Sequence, residues 1–92
     1  MSQIYISHAH SFSNGEARQI ADEIAVTLAE NYSIDYEWED DVLYFERGGV
    51  YGQIEVDEDA ILVQAELSFP LNLLQHRIEA EINKVMQAHF VA

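Results

Sequence analysis

The chain predicts an α+β fold: a strand, a helix, a four-stranded antiparallel meander and a second helix, both helices lying on one face of a curved sheet. Three observations carry this. Turn signals at Asp40-Asp41, Gly48-Gly49 and Asp57 to Ala60 cut residues 34–67 into four short runs of alternating polarity. The segments on either side have apolar residues at helical spacing. Each of those segments also has only one apolar stripe, so the two helices are expected to share the one greasy face of the sheet.

The register follows from the turns. With Gly48-Gly49 as a two-residue loop, Arg47 faces Val50, Phe45 faces Gly52 and Leu43 faces Ile54. With Asp40-Asp41 as the loop before it, Trp38 pairs with Leu43 and Tyr36 with Phe45. Beyond the third loop, Val56 pairs with Ile61, Ile54 with Val63 and Gly52 with Ala65. One face then carries Ile34, Tyr36, Trp38, Leu43, Phe45, Val50, Ile54, Val56, Ile61, Val63, Ala65 and Leu67. The opposite face carries mainly acids and amides, with Tyr44, Tyr51 and Leu62 among them. A slip of one residue in any strand would swap its faces, so the agreement supports the register.

Ile4 and Ile6 alternate with Gln3 and Tyr5, predicting a first strand. Ser13-Asn14-Gly15-Glu16 has the spacing of a capping box, in which Ser13 accepts from the Glu16 amide and the Glu16 carboxylate reaches the Ser13 amide. The first helix is expected from about Asn14 to Tyr32, with Ala17, Ile20, Ala21, Ile24, Leu28 and Tyr32 facing inward. Ser68 is read as the cap of the second helix and Pro70 as part of its first turn. Its inner face would hold Leu71, Leu74, Ile78, Ile82, Val85, Met86 and His89, with Glu79 outward. Gly52 opposite Ala65 would leave a notch for this helix to cross, in an arrangement like a reduced helix-grip fold. The first strand and one meander strand would be left as edges, which a homodimer would close.

Residues 1–92 are expected to form a single domain: 49% of the chain is apolar, with ten aromatic side chains (one Trp, five Tyr and four Phe). Seventeen acidic residues against four basic ones give a net charge of −13. That argues against nucleic acid, whose binding depends on Lys and Arg neutralising phosphates. It favours partners with basic patches. The absence of cysteine excludes disulfides and thiol chemistry. Neither a secretory signal nor an apolar run long enough for a membrane span is visible, so a cytoplasmic protein is expected.

Candidate chemistry is sparse. His8 and His10 would point the same way on a strand, but two ligands do not make a metal site, and no metal or other cofactor is expected. Asp57-Glu58-Asp59 lacks calcium-loop spacing and reads as a solvated hairpin tip. Arg47 is the one basic residue of the sheet. It points toward the helices, either to take an anionic ligand by a bidentate contact or, the favoured reading, to form an ion pair within the chain. Arg77 and Glu81 are four apart on the second helix, a pair worth about 0.2–0.5 kcal/mol. Tyr44 and Tyr51, close to Leu62, form the apolar island of the acidic face and suit a protein contact. Nucleophile elbows, phosphate-binding glycine loops and paired-histidine zinc helices are absent, so the protein is not expected to be an enzyme. Arg47, Tyr44, Tyr51 and Arg77 are the candidate binding residues.

An ordered set of segments carries a family resemblance. It comprises His10-Ser11-Phe12 with Ala17-Arg18, then Tyr44-Phe45-Glu46-Arg47 with Gly49-Val50 and Gly52, and finally Ile78-Glu79-Ala80-Glu81-Ile82. With these the chain resembles the small bacterial polyhydroxyalkanoic acid system proteins. The resemblance implies an accessory protein linked to carbon-storage granules, with no established activity or catalytic residues to carry over, and contact with a protein of that system is the expected mode of action. The alternative is a binder of an acyl or hydroxyacyl group between the sheet and the second helix. That reading requires a cavity of at least roughly 300 Å³ in a chain whose apolar residues are largely consumed by packing.

Overall fold

The computed structural model describes residues 2–90, the side chain of Phe90 excepted. Its elements are β1 (Ser2–Ala9), α1 (Asn14–Tyr32), β2 (Asp35–Glu39), β3 (Val42–Arg47), β4 (Val50–Val56), β5 (Ala60–Leu67), a 3₁₀ turn (Leu71–Leu74) and α2 (Gln75–Phe90). The five strands form one antiparallel sheet in the order β1-β5-β4-β3-β2, so β1 and β2 are the edges. Every meander pairing expected from the turns is present, including Tyr36 with Phe45, Arg47 with Val50, Gly52 with Ala65 and Val56 with Ile61. Strand β1 docks on β5, setting Ile4 against Ala65 and Ile6 against Val63.

The turns work by different means. Gly49 alone of the glycine pair takes a positive φ, at 95°, while Asp40 enters the left-handed region at φ 55°. Arg18 supports the Asp40 turn from α1. Its Nη1 donates to the Asp40 carbonyl (2.6 Å) and to Asp41 Oδ1 (3.0 Å). Its guanidinium also lies 4.2 Å from the Trp38 ring centroid, a cation–π contact. Trp38 in turn donates its indole N–H to Asp22 Oδ1 at 3.3 Å.

Both helices lie on the apolar face, and one core joins Ile20, Ile24 and Leu28 of α1 to Leu43, Ile54 and Val63 of the sheet and Ile82 and Met86 of α2. Tyr36 and Trp38, expected inside, remain partly exposed because β2 is an edge strand, open on one side. The capping box forms with one change. Ser13 Oγ accepts from the Glu16 amide (3.2 Å), but the Glu16 carboxylate accepts from the Ser13 hydroxyl (3.0 Å), not from its amide.

Three further expectations are corrected. Helix α2 does not cross at Gly52: α1 lies over β2, β3 and β4, while α2 rests on β1 and against α1. The small residues that permit close approach are on the helix, Ala17, Ala21 and Ala25, each at most 1% exposed. The notch at Gly52 is filled by Phe45: a Cβ there would stand 2.7 Å from the ring and 2.4 Å from the Gln64 carbonyl. Nor does Ser68 cap α2. A cis Phe69-Pro70 bond and the 3₁₀ turn come first, and Ser68 uses its backbone, donating to the Gly49 carbonyl (2.8 Å). His89, expected on the inner face, is exposed and pairs with Glu23 of α1.

Candidate functional site

The four candidate residues separate into two places. Tyr44 and Tyr51 stand on the outer face of the sheet, whereas Arg47 and Arg77 meet at one end of the helix layer.

On the outer face, side chains from the five strands form rows. One runs Gln3, Glu66, Tyr51, Glu46, Asp35, and the next runs Tyr5, Gln64, Gln53, Tyr44, Glu37. Tyr51 therefore stands between two glutamates, and Tyr44 is its diagonal neighbour across the β3–β4 pair. Leu62 is not part of this island. It lies opposite Glu55, four residues along β5 from the partner of Tyr51, or about 13 Å. Its place is taken by Tyr5, which the alternation of β1 turned outward but which only the docking of β1 brings alongside. Tyr5 and Tyr51 are 65% and 60% exposed. Open grooves of about 290 and 460 Å³ flank Tyr51, one shared with Tyr5 and the other with Tyr44.

The second place is built from the ends of four elements. Helix α1 stops at Tyr32, and Ser33 closes it in the left-handed region with φ 58°. The last carbonyls of a helix lack intrahelical donors and carry partial negative charge. Arg47, at the end of β3, answers one of them by donating Nη1 to the Tyr32 carbonyl at 2.6 Å. This corrects the expected ion pair: among the described residues no carboxylate lies within 4 Å of Arg47. Arg77 and Glu81 likewise fail to close to ion-pair distance, leaving Arg77 exposed beside Arg47. Together Asn31, Tyr32, Ser33, Arg47, Leu71, Leu74, Arg77 and Glu81 line an open cleft of about 350 Å³.

The polar groups of this cleft are unevenly satisfied. Asn31 Nδ2 donates to Glu81 Oε1 at 3.3 Å. Glu81 Oε2 and the Tyr32 hydroxyl are both buried, an acceptor and a donor facing one another, and neither has any other partner. Burial pushes the Tyr32 phenol above its ordinary range, and the nearby Glu81 carboxylate pushes the same way while Arg77 opposes it. Tyr32, Glu81 and Asn31 are site residues that sequence reasoning missed. Tyr32 read as core and Glu81 as the partner of Arg77 four residues away.

No metal-binding group of three or more His, Asp or Glu exists among the described residues. His10 serves the fold: Nδ1 accepts from the Phe12 amide (3.1 Å), which leaves Nε2 to donate to the Asp57 carbonyl (2.9 Å). No helix among the described residues is long and apolar enough to cross a membrane.

The architecture is that of a small α+β domain with both helices on one face of a five-stranded antiparallel sheet. A solved structure of this kind is an NMR structure of a Pseudomonas aeruginosa protein. It superposes with a TM-score of 0.64 at 10% sequence identity, over 100% of this chain and 88% of that one. That likeness establishes the fold alone. No curated protein matches the chain in sequence. The family model described as "Putative polyhydroxyalkanoic acid system protein" matches residues 4–90, and the chain belongs to that family.

Proposed function

We propose that the protein is a non-catalytic accessory of the polyhydroxyalkanoate storage system, working inside the cell by contact with a basic protein surface. The observation that carries this reading is the outer face, where Tyr5 and Tyr51 stand exposed among glutamates and glutamines. Aromatic side chains are favoured at the centres of protein contacts, and a surrounding acidic field selects and steers a basic partner. Family membership supplies the system. The reading is non-catalytic because the sequence contains no nucleophile motif and the family description names a polyhydroxyalkanoic acid system rather than a reaction.

The test is a pull-down from polymer-accumulating cells with the wild-type chain and with Tyr51→Thr. The expected result is recovery of a basic granule-associated protein that is lost on raising salt and lost in the variant. Recovery of no granule component, or equal recovery by both chains, would count against the proposal.

A further inference from the structure

We infer that β1 is a dimerisation edge, pairing antiparallel with β1 of a second copy of this chain and joining two five-stranded sheets into one. The distribution of charge points to this edge. All seventeen acidic and four basic residues lie outside residues 1–15 and 67–76. The fold brings these two uncharged stretches together: Ser2 lies opposite Leu67, and Gln75 Nε2 donates to the Gln3 carbonyl at 3.1 Å. Phe69 and Leu73, 78% and 72% exposed, stand on the second stretch. The other edge is the reverse. Strand β2 carries Asp35, Glu37 and Glu39 within five residues, and such charge guards an edge against pairing. Two chains of charge −13 repel one another, and least where neither presents a charge.

Backbone geometry selects the register. The His10 amide donates to the Asp59 carbonyl at 2.9 Å, and bonded pairs alternate along an antiparallel ladder. His8, Ile6 and Ile4 therefore turn their backbone groups toward β5, while Gln3, Tyr5, Ser7 and Ala9 turn theirs outward. Gln3 bears this out, because its carbonyl accepts from Gln75, which also stops a second ladder at that point. With Ile6 on the twofold axis, Tyr5 of each copy pairs with Ser7 of the other, a bonded pair on either side. Ile6, half-buried on the apolar face, then meets Ile6 of the second copy and is covered. An axis at Tyr5 would drive Ser7 against the Gln3 position that Gln75 occupies, and an axis at Ser7 would set Ile6 against His8. The Tyr5 side chains stay on the outer face, so the dimer does not depend on that face binding a partner.

The experiment is analytical ultracentrifugation of the whole chain over a concentration series at low and high salt, with amide exchange followed by NMR. A dimer is expected, tightening by about threefold or more as salt screens the repulsion. The Tyr5 and Ser7 amides should be protected at high concentration and lose that protection on dilution, while the amides of β2 do not change with concentration. Ser7→Pro removes an outward N–H but no bond to β5, and should weaken the dimer by about thirtyfold or more. A chain that stays monomeric at every concentration and salt would overturn the inference. So would a dimer weakened by salt, one that leaves the Tyr5 and Ser7 amides unprotected, or one that tolerates Ser7→Pro. The exchange measurement needs no variant, so it decides the matter even where Ser7→Pro fails to fold.

Discussion

The outer sheet face and the α1–α2 cleft share a single strand, β3, and behave as opposites. On the face, Tyr51 and Tyr44 alternate with acids, and each position is set by its strand's own periodicity. In the cleft, Asn31, Arg47, Arg77 and Glu81 come from three separate elements, and none is placed by the periodicity of another. The face presents exposed phenols in an acidic field. The cleft presents guanidinium groups and a buried phenol beside a buried carboxylate oxygen. A broad surface of the first kind suits a protein, and a pocket of the second kind suits a small molecule. The difference teaches that an overall charge of −13 does not describe every part of the surface.

The sharpest way to break this division is to damage what both regions share. Gly52→Ala would put a methyl 2.4 Å from the Gln64 carbonyl and against the Phe45 ring. A loss of about 3 kcal/mol is expected in urea denaturation, because backbone and a packed ring must both move. Outer-face pairing and the cleft would then be weakened together.

Arg47→Gln should act on the cleft alone. It removes the charge-assisted bond to the Tyr32 carbonyl, and as the side chain is exposed the expected loss is at the low end, about 1.5 kcal/mol. Hydrogen exchange should rise over the last turn of α1 while the β3–β4 pairing stays protected. Uniform loss of protection across the sheet would show that the two regions are not separable.

Tyr32→Phe sharpens the comparison through pH. The folded-state pKa of Tyr32 is raised from its ordinary 10.0, chiefly by burial, so the neutral phenol is the form the fold favours. Its contribution is complete below pH 10 and disappears as pH climbs through the higher folded-state value. Wild-type stability should therefore fall more steeply than that of Tyr32→Phe as pH rises from 10 toward that value. Identical slopes for wild type and Tyr32→Phe would sink the assignment.

The smallest effect on stability is expected from Tyr51→Thr, within about 0.5 kcal/mol, because threonine keeps strand propensity at an exposed position. The same change should weaken partner binding by about tenfold or more if Tyr51 anchors the contact. A stability change larger than that of Arg47→Gln would mark Tyr51 as a structural residue.

Much of the fold was legible because it is local. The turns at Asp40-Asp41, Gly48-Gly49 and Asp57 to Ala60 leave one pairing that keeps most apolar residues on one side, so β2 to β5 follow from their turns. Helix α1 was legible from Ser13 to Tyr32 for the same reason, with its cap and its stripe in one segment. The start of α2 was not, because a proline two residues after a serine is compatible with either a capped helix or the cis bond and 3₁₀ turn that occur. At the candidate site, Arg47's direction followed from register, but its partner did not. A carboxylate was the expected partner, and the helix-end carbonyl was already at hand. The Gly52 notch was misread because a gap in a one-dimensional pattern does not reveal whether Phe45, on the neighbouring strand, will turn into it.

What the amino-acid order determined by itself is the pairing of the meander, the facing of each strand and the chemical inventory: few cations, many acids and exposed tyrosines. Folding in three dimensions decided which strand β1 would join, that α1 rather than α2 would cover the centre, and that Arg47 and Arg77 would share one cleft. The physical reason is range. Alternation and helical spacing are properties of a chain segment, whereas a cleft between element ends depends on how segments far apart in sequence pack against a common core.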